Sequence, residues 1–103
     1  MLLAGCGTGG GASGTADQTN GQKQFQSKCA GCHTLAAAGS QGTVGPNLDD
    51  AFRADKQQGF KDSTIRDVVL VQIRQPSPPM PASLVKGQDA QDVAAYVASV
   101  AGK

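Results

Sequence analysis

The chain is short, nearly neutral and poor in bulky side chains. Its 103 residues include nine basic and eight acidic ones, so a single domain is expected, and the charge indicates neither a nucleic-acid partner nor a strongly charged surface. The aromatic residues are three Phe and one Tyr, and Trp is absent. So few large side chains bury too little apolar area for stability, which predicts that a bound group completes the core.

The first residues hold a candidate lipidation site. Leu3-Ala4-Gly5-Cys6 resembles the lipobox of bacterial lipoproteins, in which the cysteine after a cleaved signal peptide receives lipid. Cys6 is also the odd one of three cysteines, and an unpaired thiol in an exported protein needs an explanation. We interpret residues 1–5 as the remnant of a signal peptide. They are shorter than a complete signal, so a misplaced start without cleavage stays the alternative.

A flexible tether is predicted after the lipidation site, so that residues 6–20 form the lipid-anchored Cys6 and its tether. The segment from Gly7 to Asn20 is rich in Gly, Ser and Thr, which is the composition of a flexible linker. A linker of this length has a root-mean-square reach of about 20 Å. It would let a folded domain at residues 21–103 move between partners at a membrane.

The first predicted helix begins at Asn20, which is a suitable N-cap. Phe25 and Cys29 lie four residues apart and therefore share one face of this helix. The helix would bring Cys29 to the core beside Phe25.

Cys29-Ala30-Gly31-Cys32-His33 has the pattern of covalent haem attachment, in which each thiol adds to one vinyl group and the histidine binds the iron. A zinc site would need further ligands, but the chain has one other cysteine and no other histidine. A redox dithiol would belong to a βαβ unit, and no such pattern is present. We therefore predict haem c attached to Cys29 and Cys32, with His33 as an axial ligand.

A loop and two helices are predicted next. Residues 34–44 are small and Gly-rich, as in a loop, and residues 48–56 form a short helix with acidic residues first and basic residues last. The following helix begins at Asp62 or Ser63. Its apolar stripe at helical spacing consists of Ile65, Val68, Val69 and Ile73. Val69 and Ile73 are predicted to pack on the haem.

Met80 is the candidate for the second axial ligand. The chain has no second histidine, and its other methionine, Met1, lies in the presumed signal remnant. Four prolines surround Met80 in the segment Pro76-Ser77-Pro78-Pro79-Met80-Pro81 and stiffen a non-helical strap that would hold sulfur against a metal. Packing in the core is the alternative role for this side chain.

The last predicted helix follows Lys86. Its apolar stripe consists of Ala90, Val93, Ala94, Val97, Val100 and Ala101, beside Tyr96. Strand signals are weak throughout, so the sequence predicts an all-α fold of about four helices around one haem.

Together these features resemble a small bacterial class I cytochrome c. The resemblance covers residues 20–103 and rests on the Cys29–His33 motif together with Gly21, Phe25, Gly45-Pro46-Asn47-Leu48, Met80-Pro81 and Tyr96. It implies that the Pro46 carbonyl accepts the Nδ1 proton of His33, with an ordinary Gly-Pro turn as the alternative. It also implies a close helix crossing at Gly21, near Tyr96, with an ordinary loop glycine as the alternative. Arg53 or Lys56 would hold the haem propionates or remain solvated surface charges.

The function implied is one-electron transfer without substrate chemistry, so the protein is expected not to be an enzyme. The expected partners are redox proteins such as a terminal oxidase or a quinol-oxidising complex, and the expected location is the periplasm or the outer face of the cytoplasmic membrane. A small-molecule substrate is not expected. The alternatives are a fixed haem subunit of a respiratory complex, or a haem sensor or peroxidase-like enzyme if Met80 does not bind the iron. The docking patch is expected near residues 36–42 and the proline strap.

Overall fold

Four α-helices make up most of the computed structural model, which describes residues 16–103. The helices are α1 Gln18–Lys28, α2 Leu48–Gln57, α3 Asp62–Arg74 and α4 Gly87–Val100. Within residues 16–103, none of the helices has the length and apolar character needed to span a bilayer. The predicted all-α architecture is therefore confirmed. Cys6 and the beginning of the predicted tether lie outside the described residues.

The start of α1 differs from the prediction. Asp17, not Asn20, is the N-cap, because its side chain accepts the backbone N–H of Asn20 at 2.9 Å. The Asn20 amide instead reaches α4, where it donates to Asp89 at 2.9 Å and to Asp92 at 2.8 Å. The domain consequently begins earlier than residue 21, and the last residues assigned to the tether belong to α1.

A small hairpin occupies part of the predicted loop at residues 34–44. Strand β1 (Thr34–Leu35) pairs antiparallel with β2 (Ser40–Gln41), and a 3₁₀ turn at Ala36–Ala38 joins them. The Ser40 hydroxyl accepts the Leu35 N–H at 2.9 Å. Strands of two residues are too short to show an alternating pattern, which is why the sequence did not indicate them.

The crossing of α1 and α4 depends on Gly21. A Cβ at this position would clash with the carbonyl oxygen of Asp92 and lie 2.7 Å from the Cβ of Tyr96. Phe25 and Tyr96 pack with their ring centroids 6.2 Å apart. The close approach predicted at Gly21, with Tyr96 beside it, is therefore confirmed.

Helices α3 and α4 supply much of the core. Ile65, Val69 and Ile73 of α3 are buried, and Val68, which is 47% exposed, lines the same cavity as Val69 and Ile73. The buried apolar residues of α4 are Ala90, Val93, Ala94, Tyr96, Val97 and Ala98. This core encloses one side of a cavity that the proline strap and the segment after β2 border on the other sides.

Candidate haem site

The predicted site residues line one cavity of about 470 Å³. This volume lies within the range of about 300–1,000 Å³ that is typical of ligand and cofactor sites. The predicted residues that line it are Cys29, Cys32, His33, Pro46, Val69, Ile73 and Met80. The remaining lining is mainly aliphatic and aromatic. A cavity with two thiols, an imidazole and a thioether in apolar surroundings fits a covalently attached haem.

The end of α1 positions both thiols. Cys29 is the C-cap of α1, and its N–H donates to the Phe25 carbonyl at 2.8 Å. The N–H groups of Cys32 and His33 both donate to the Cys29 carbonyl, at 3.1 and 3.0 Å. This tight turn brings three reactive side chains to one wall of the cavity. Cys29 is buried and Cys32 is exposed, and both are free thiols.

The acidity of Cys29 argues against a redox dithiol. Burial, reinforced by the nearby Cys32, raises the pKa of the Cys29 thiol to about 11. Dithiol oxidoreductases use an attacking cysteine whose pKa is lowered. A thiol with a raised pKa lacks the thiolate character that an attacking cysteine needs, which argues against a redox role for Cys29.

The imidazole of His33 is oriented by the backbone of the next loop. Its Nδ1 lies 2.8 Å from the Pro46 carbonyl oxygen. Because a carbonyl only accepts hydrogen bonds, this contact requires the proton on Nδ1 and leaves the lone pair of Nε2 free. That tautomer is the one in which Nε2 is able to bind a metal.

Two glycines hold the same loop flat against the attachment motif. A Cβ at Gly45 would lie 2.5 Å from Cε1 of His33, and a Cβ at Gly42 would lie 2.6 Å from the carbonyl carbon of Cys32. The Gly45 N–H also donates to the Cys32 carbonyl at 2.7 Å. The sequence reasoning did not assign this role to Gly42. The sequence indicated Gly42 only as a second glycine, after Gly39, between His33 and the Gly-Pro turn.

Asp49 is a second residue whose role was missed. Its carboxylate is buried and accepts the N–H of Ala36 and the N–H of Gly102, each at 2.9 Å. It thereby joins the hairpin, the start of α2 and the segment after α4. From the sequence, the acidic residues in the first turn of α2 indicated only a favourable interaction with the helix dipole. The hydrogen bonds of Asp49 to Ala36 and Gly102 could not be predicted, because these partners are distant in the sequence.

Met80 reaches the cavity from the strap between α3 and α4. The strap is non-helical, as predicted. Met80 is half-buried, and its N–H donates to the Ser77 carbonyl at 3.1 Å. Its side chain packs against the core cluster and lines the cavity. The structure thus places a thioether and an imidazole in the walls of the same cavity.

Arg53 and Lys56, the residues suggested for the propionates, are not among the residues that line the cavity. Arg53 pairs with Asp50, with Nη1 and Oδ1 2.6 Å apart, and the Nζ of Lys56 is buried without a hydrogen-bond partner. Among the lining residues that the structure describes, Lys28 is the charged one.

Multidentate metal binding by the protein alone is not indicated. Within residues 16–103 there is no cluster of three or more His, Cys, Asp or Glu side chains suited to a metal ion. The zinc alternative therefore lacks a ligand set in the part of the chain that the structure describes.

Comparisons with known proteins identify the family. The chain matches the family model described as cytochrome c over residues 18–101. It is also similar to the crystal structure of the c-type cytochrome SorU from Sinorhizobium meliloti, with 32% sequence identity and a TM-score of 0.62, covering 84% of this chain and 92% of that one. No curated protein matches the chain. The chain therefore belongs to the cytochrome c family, as a small class I member that binds haem c covalently.

Proposed function

We propose that this haem-based electron carrier uses Cys29 and Cys32 to attach its haem and His33 and Met80 as the two axial ligands. The observation that carries the proposal is that all four side chains line one cavity, and that Nδ1 of His33 is held by the Pro46 carbonyl at 2.8 Å. When bound, the haem supplies an iron that alternates between the ferrous and ferric states.

The residues around the cavity favour electron transfer over catalysis. The apolar side chains of Val69 and Ile73 line the cavity and would exclude water from a bound haem, which would favour the less charged ferrous state. The described lining contains no Asp or Glu that would serve as a general acid or base. With Met80 and His33 as ligands, neither axial position is open to a substrate, so the protein is proposed not to be an enzyme.

A redox titration of the holoprotein, followed by its visible spectrum, tests this function. We expect a reversible one-electron transition and a far-red absorption band from thioether ligation of ferric iron. Met80→Ala should lose this band, lower the potential and bind carbon monoxide readily. The matched control is Leu84→Ala, which also trims a half-buried residue in the cavity wall. If Met80→Ala behaves like Leu84→Ala, Met80 is not a ligand, and a sensor or peroxidase-like role is favoured.

The location and partners form a separate part of the proposal. Covalent haem attachment takes place outside the cytoplasm, and Leu3-Ala4-Gly5-Cys6 resembles a lipobox. We therefore place the protein in the periplasm or on the outer face of the cytoplasmic membrane, anchored through lipid at Cys6. It would exchange electrons with a terminal oxidase or a quinol-oxidising complex.

Membrane fractionation tests the anchor. The wild-type protein should stay with membranes until detergent is added, whereas Cys6→Ser should appear in the soluble fraction with an unchanged visible spectrum. Release of the wild type without detergent would contradict lipidation. Stoichiometric co-purification with an oxidase or reductase would favour a fixed subunit over a tethered shuttle.

A further inference from the structure

We propose, on the basis of the iron ligation by His33 proposed above, that Asp49 is a positioning residue for this ligand. Its buried carboxylate ties the segment after His33 to the segment after Pro46, and so holds the Pro46 carbonyl against Nδ1 of the imidazole. Asp49 is not among the residues that line the cavity. It therefore influences the reduction potential only through its neighbours and its charge.

Two segments of the chain, residues 32–36 and residues 42–49, meet beside the attachment motif. Three hydrogen bonds between uncharged groups join them. They are the Gly45 N–H to the Cys32 carbonyl at 2.7 Å, the Thr34 hydroxyl to the Gly42 carbonyl at 2.8 Å, and Nδ1 of His33 to the Pro46 carbonyl at 2.8 Å. The distance between the imidazole and its acceptor thus depends on how firmly these two segments are held together.

Asp49 adds a fourth bond between the same two segments, and this bond uses a carboxylate. Its Oδ2 accepts the N–H of Ala36 at 2.9 Å, and its Oδ1 accepts the N–H of Gly102 at 2.9 Å. Asp49 is 6% exposed, so moving its side chain would leave two N–H groups without a partner. Hydrogen bonds to a carboxylate are also stronger than bonds between neutral groups. The contact between Asp49 and Ala36 therefore fixes one end of the joined segments.

The positions of the bonded residues connect this contact to the imidazole. Ala36 follows His33 by three residues, and Asp49 follows Pro46 by three residues. Strand β1 begins directly after His33, and α2 begins two residues after Pro46. Because both connections are short and run into regular structure, a displacement between Ala36 and Asp49 is passed on to the contact between His33 and Pro46.

The Pro46 carbonyl affects how strongly the imidazole donates to a metal. A hydrogen bond from the far ring nitrogen to an acceptor raises the basicity of a metal-binding histidine, which favours ferric iron. Loss of the Asp49 carboxylate should therefore weaken this donation and raise the reduction potential. Removal of a buried negative charge shifts the potential in the same direction. A measurement at Nδ1 itself is needed to separate positioning from charge.

The exchange rate of the Nδ1 proton of His33 with solvent, followed by NMR of the ferric holoprotein, tests the positioning. Ferric iron shifts the resonances of its ligands away from those of other residues. Asp49→Ala should accelerate this exchange roughly tenfold, a change that corresponds to about 1.4 kcal/mol, and should raise the reduction potential. A raised potential with unchanged exchange would show that Asp49 acts through its charge alone, and would overturn the proposal.

Asp92→Ala is the matched control, because Asp92 is also a buried aspartate in a helix. Its carboxylate accepts the N–H of Asp17 at 2.9 Å and the side-chain amides of Asn20 and Gln88 at 2.8 Å. These contacts lie at the start of α1, whereas the attachment motif follows the end of α1. Asp92→Ala should lower the free energy of unfolding, as Asp49→Ala does, but leave the Nδ1 exchange at the wild-type rate. Equal acceleration by both variants would indicate a general loss of stability and contradict positioning.

Ala36→Pro removes the donor of the same bond and leaves the carboxylate in place. Proline has no N–H, and Leu35 before it has the extended backbone that a residue preceding proline prefers. Ala36→Pro should also accelerate the Nδ1 exchange. The double variant with Asp49→Ala should exchange no faster than Asp49→Ala alone, because both changes remove one bond. Fully additive effects would show that Asp49 does not act through Ala36, and would overturn the proposal.

The wild-type spectrum separates this positioning from the ligation on which it rests. If ferric iron does not shift the resonances of the His33 ring in the wild type, His33 is not a ligand and the proposed function fails. Shifted His33 resonances in every variant, with faster exchange in Asp49→Ala and Ala36→Pro but not in Asp92→Ala, would establish Asp49 as a positioning residue.

Discussion

The imidazole of His33 is held in place mainly by backbone atoms. The Pro46 carbonyl fixes its Nδ1, and Gly45 lies against its ring. The sequence allowed the Pro46 contact to be predicted through the family resemblance, because Gly-Pro is a short and recognisable pattern. The packing of Gly42 against Cys32 could not be predicted, since it depends on how the hairpin folds back over the attachment motif.

Replacing Gly45 tests this packing. In Gly45→Ala the new Cβ would lie 2.5 Å from Cε1 of His33, so the ring or the loop has to shift. We expect the free energy of unfolding of the holoprotein in urea to fall by about 1–3 kcal/mol, the usual cost of overpacking. The reduction potential should also change, because the imidazole is reoriented.

Gly31→Ala is the matched control, because a Cβ at Gly31 would have no neighbour within 4 Å. It lies inside the same attachment motif and should leave both the unfolding free energy and the potential close to those of the wild type. Equal effects in the two variants would show that the contact with His33 is not the cause.

The burial of Lys56 predicts that the stability of the protein depends on pH. Its Nζ is buried without a hydrogen-bond partner, and this burial lowers the pKa of Lys56, while the nearby Asp62 and Asp49 partly oppose the change and Lys103 adds to it. A lowered pKa means that folding disfavours the ammonium form. The loss of stability from burying the ammonium is fully present below the pKa that Lys56 has in the folded protein. It disappears as the pH rises from that pKa to the higher pKa that Lys56 has in the unfolded chain.

Lys56→Met should therefore raise the thermal unfolding temperature of the holoprotein at neutral pH, and the gain should shrink as the pH becomes alkaline. Lys23→Met, at an exposed position of α1, should cause no comparable gain. A less stable Lys56→Met protein at neutral pH would mean that the attraction of Asp62 and Asp49 for the ammonium outweighs its burial.

At the scale of elements, the starts of α2 and α3 were predictable from the sequence. Helix α2 begins at Leu48 after Asn47, whose side chain accepts the Asp50 N–H at 3.1 Å, and α3 begins at Asp62, one of the two starts predicted. The start of α1 was predicted wrongly because Asp17 and Asn20 both have capping side chains. Only the fold shows that Asn20 is used by α4 instead.

The crossing of α1 and α4 predicts whether Gly21→Ala raises or lowers the free energy of unfolding. Alanine favours a helix over glycine by about 0.5–1 kcal/mol, so propensity alone predicts that Gly21→Ala stabilises the protein. The clash of the new Cβ with α4 predicts the opposite, a loss of about 1–3 kcal/mol. Chemical denaturation of the holoprotein measures the difference.

Gln22→Ala, an exposed substitution one residue further along α1, is the control for helix propensity and should be nearly neutral. If Gly21→Ala proved as stable as Gln22→Ala, or more stable than the wild type, the two helices would have room to separate, and the close crossing would not be needed.

At the scale of the whole molecule, the central feature is a cavity of about 470 Å³ within a chain that has only three Phe and one Tyr. Composition predicted that a bound group completes this core, and the attachment motif predicted which group. The sequence could not indicate that Asp49 links the hairpin to the segment after α4, because its partners are far away in the chain.

The polypeptide without haem should consequently be largely unfolded. Its far-UV circular dichroism should show much less helix than the holoprotein, because α1, α3 and the strap lose their shared packing partner. The matched comparison is the holoprotein in the same buffer. Cooperative thermal unfolding of haem-free protein with the helix content of the holoprotein would contradict this expectation.

The absorption spectrum of the ferric holoprotein in the far red tests the central claim most directly. If His33 and Met80 both bind the iron of a haem attached to Cys29 and Cys32, the thioether band is present and carbon monoxide binds the reduced protein poorly. A holoprotein that lacks this band and binds carbon monoxide readily would show an open iron position and contradict the account.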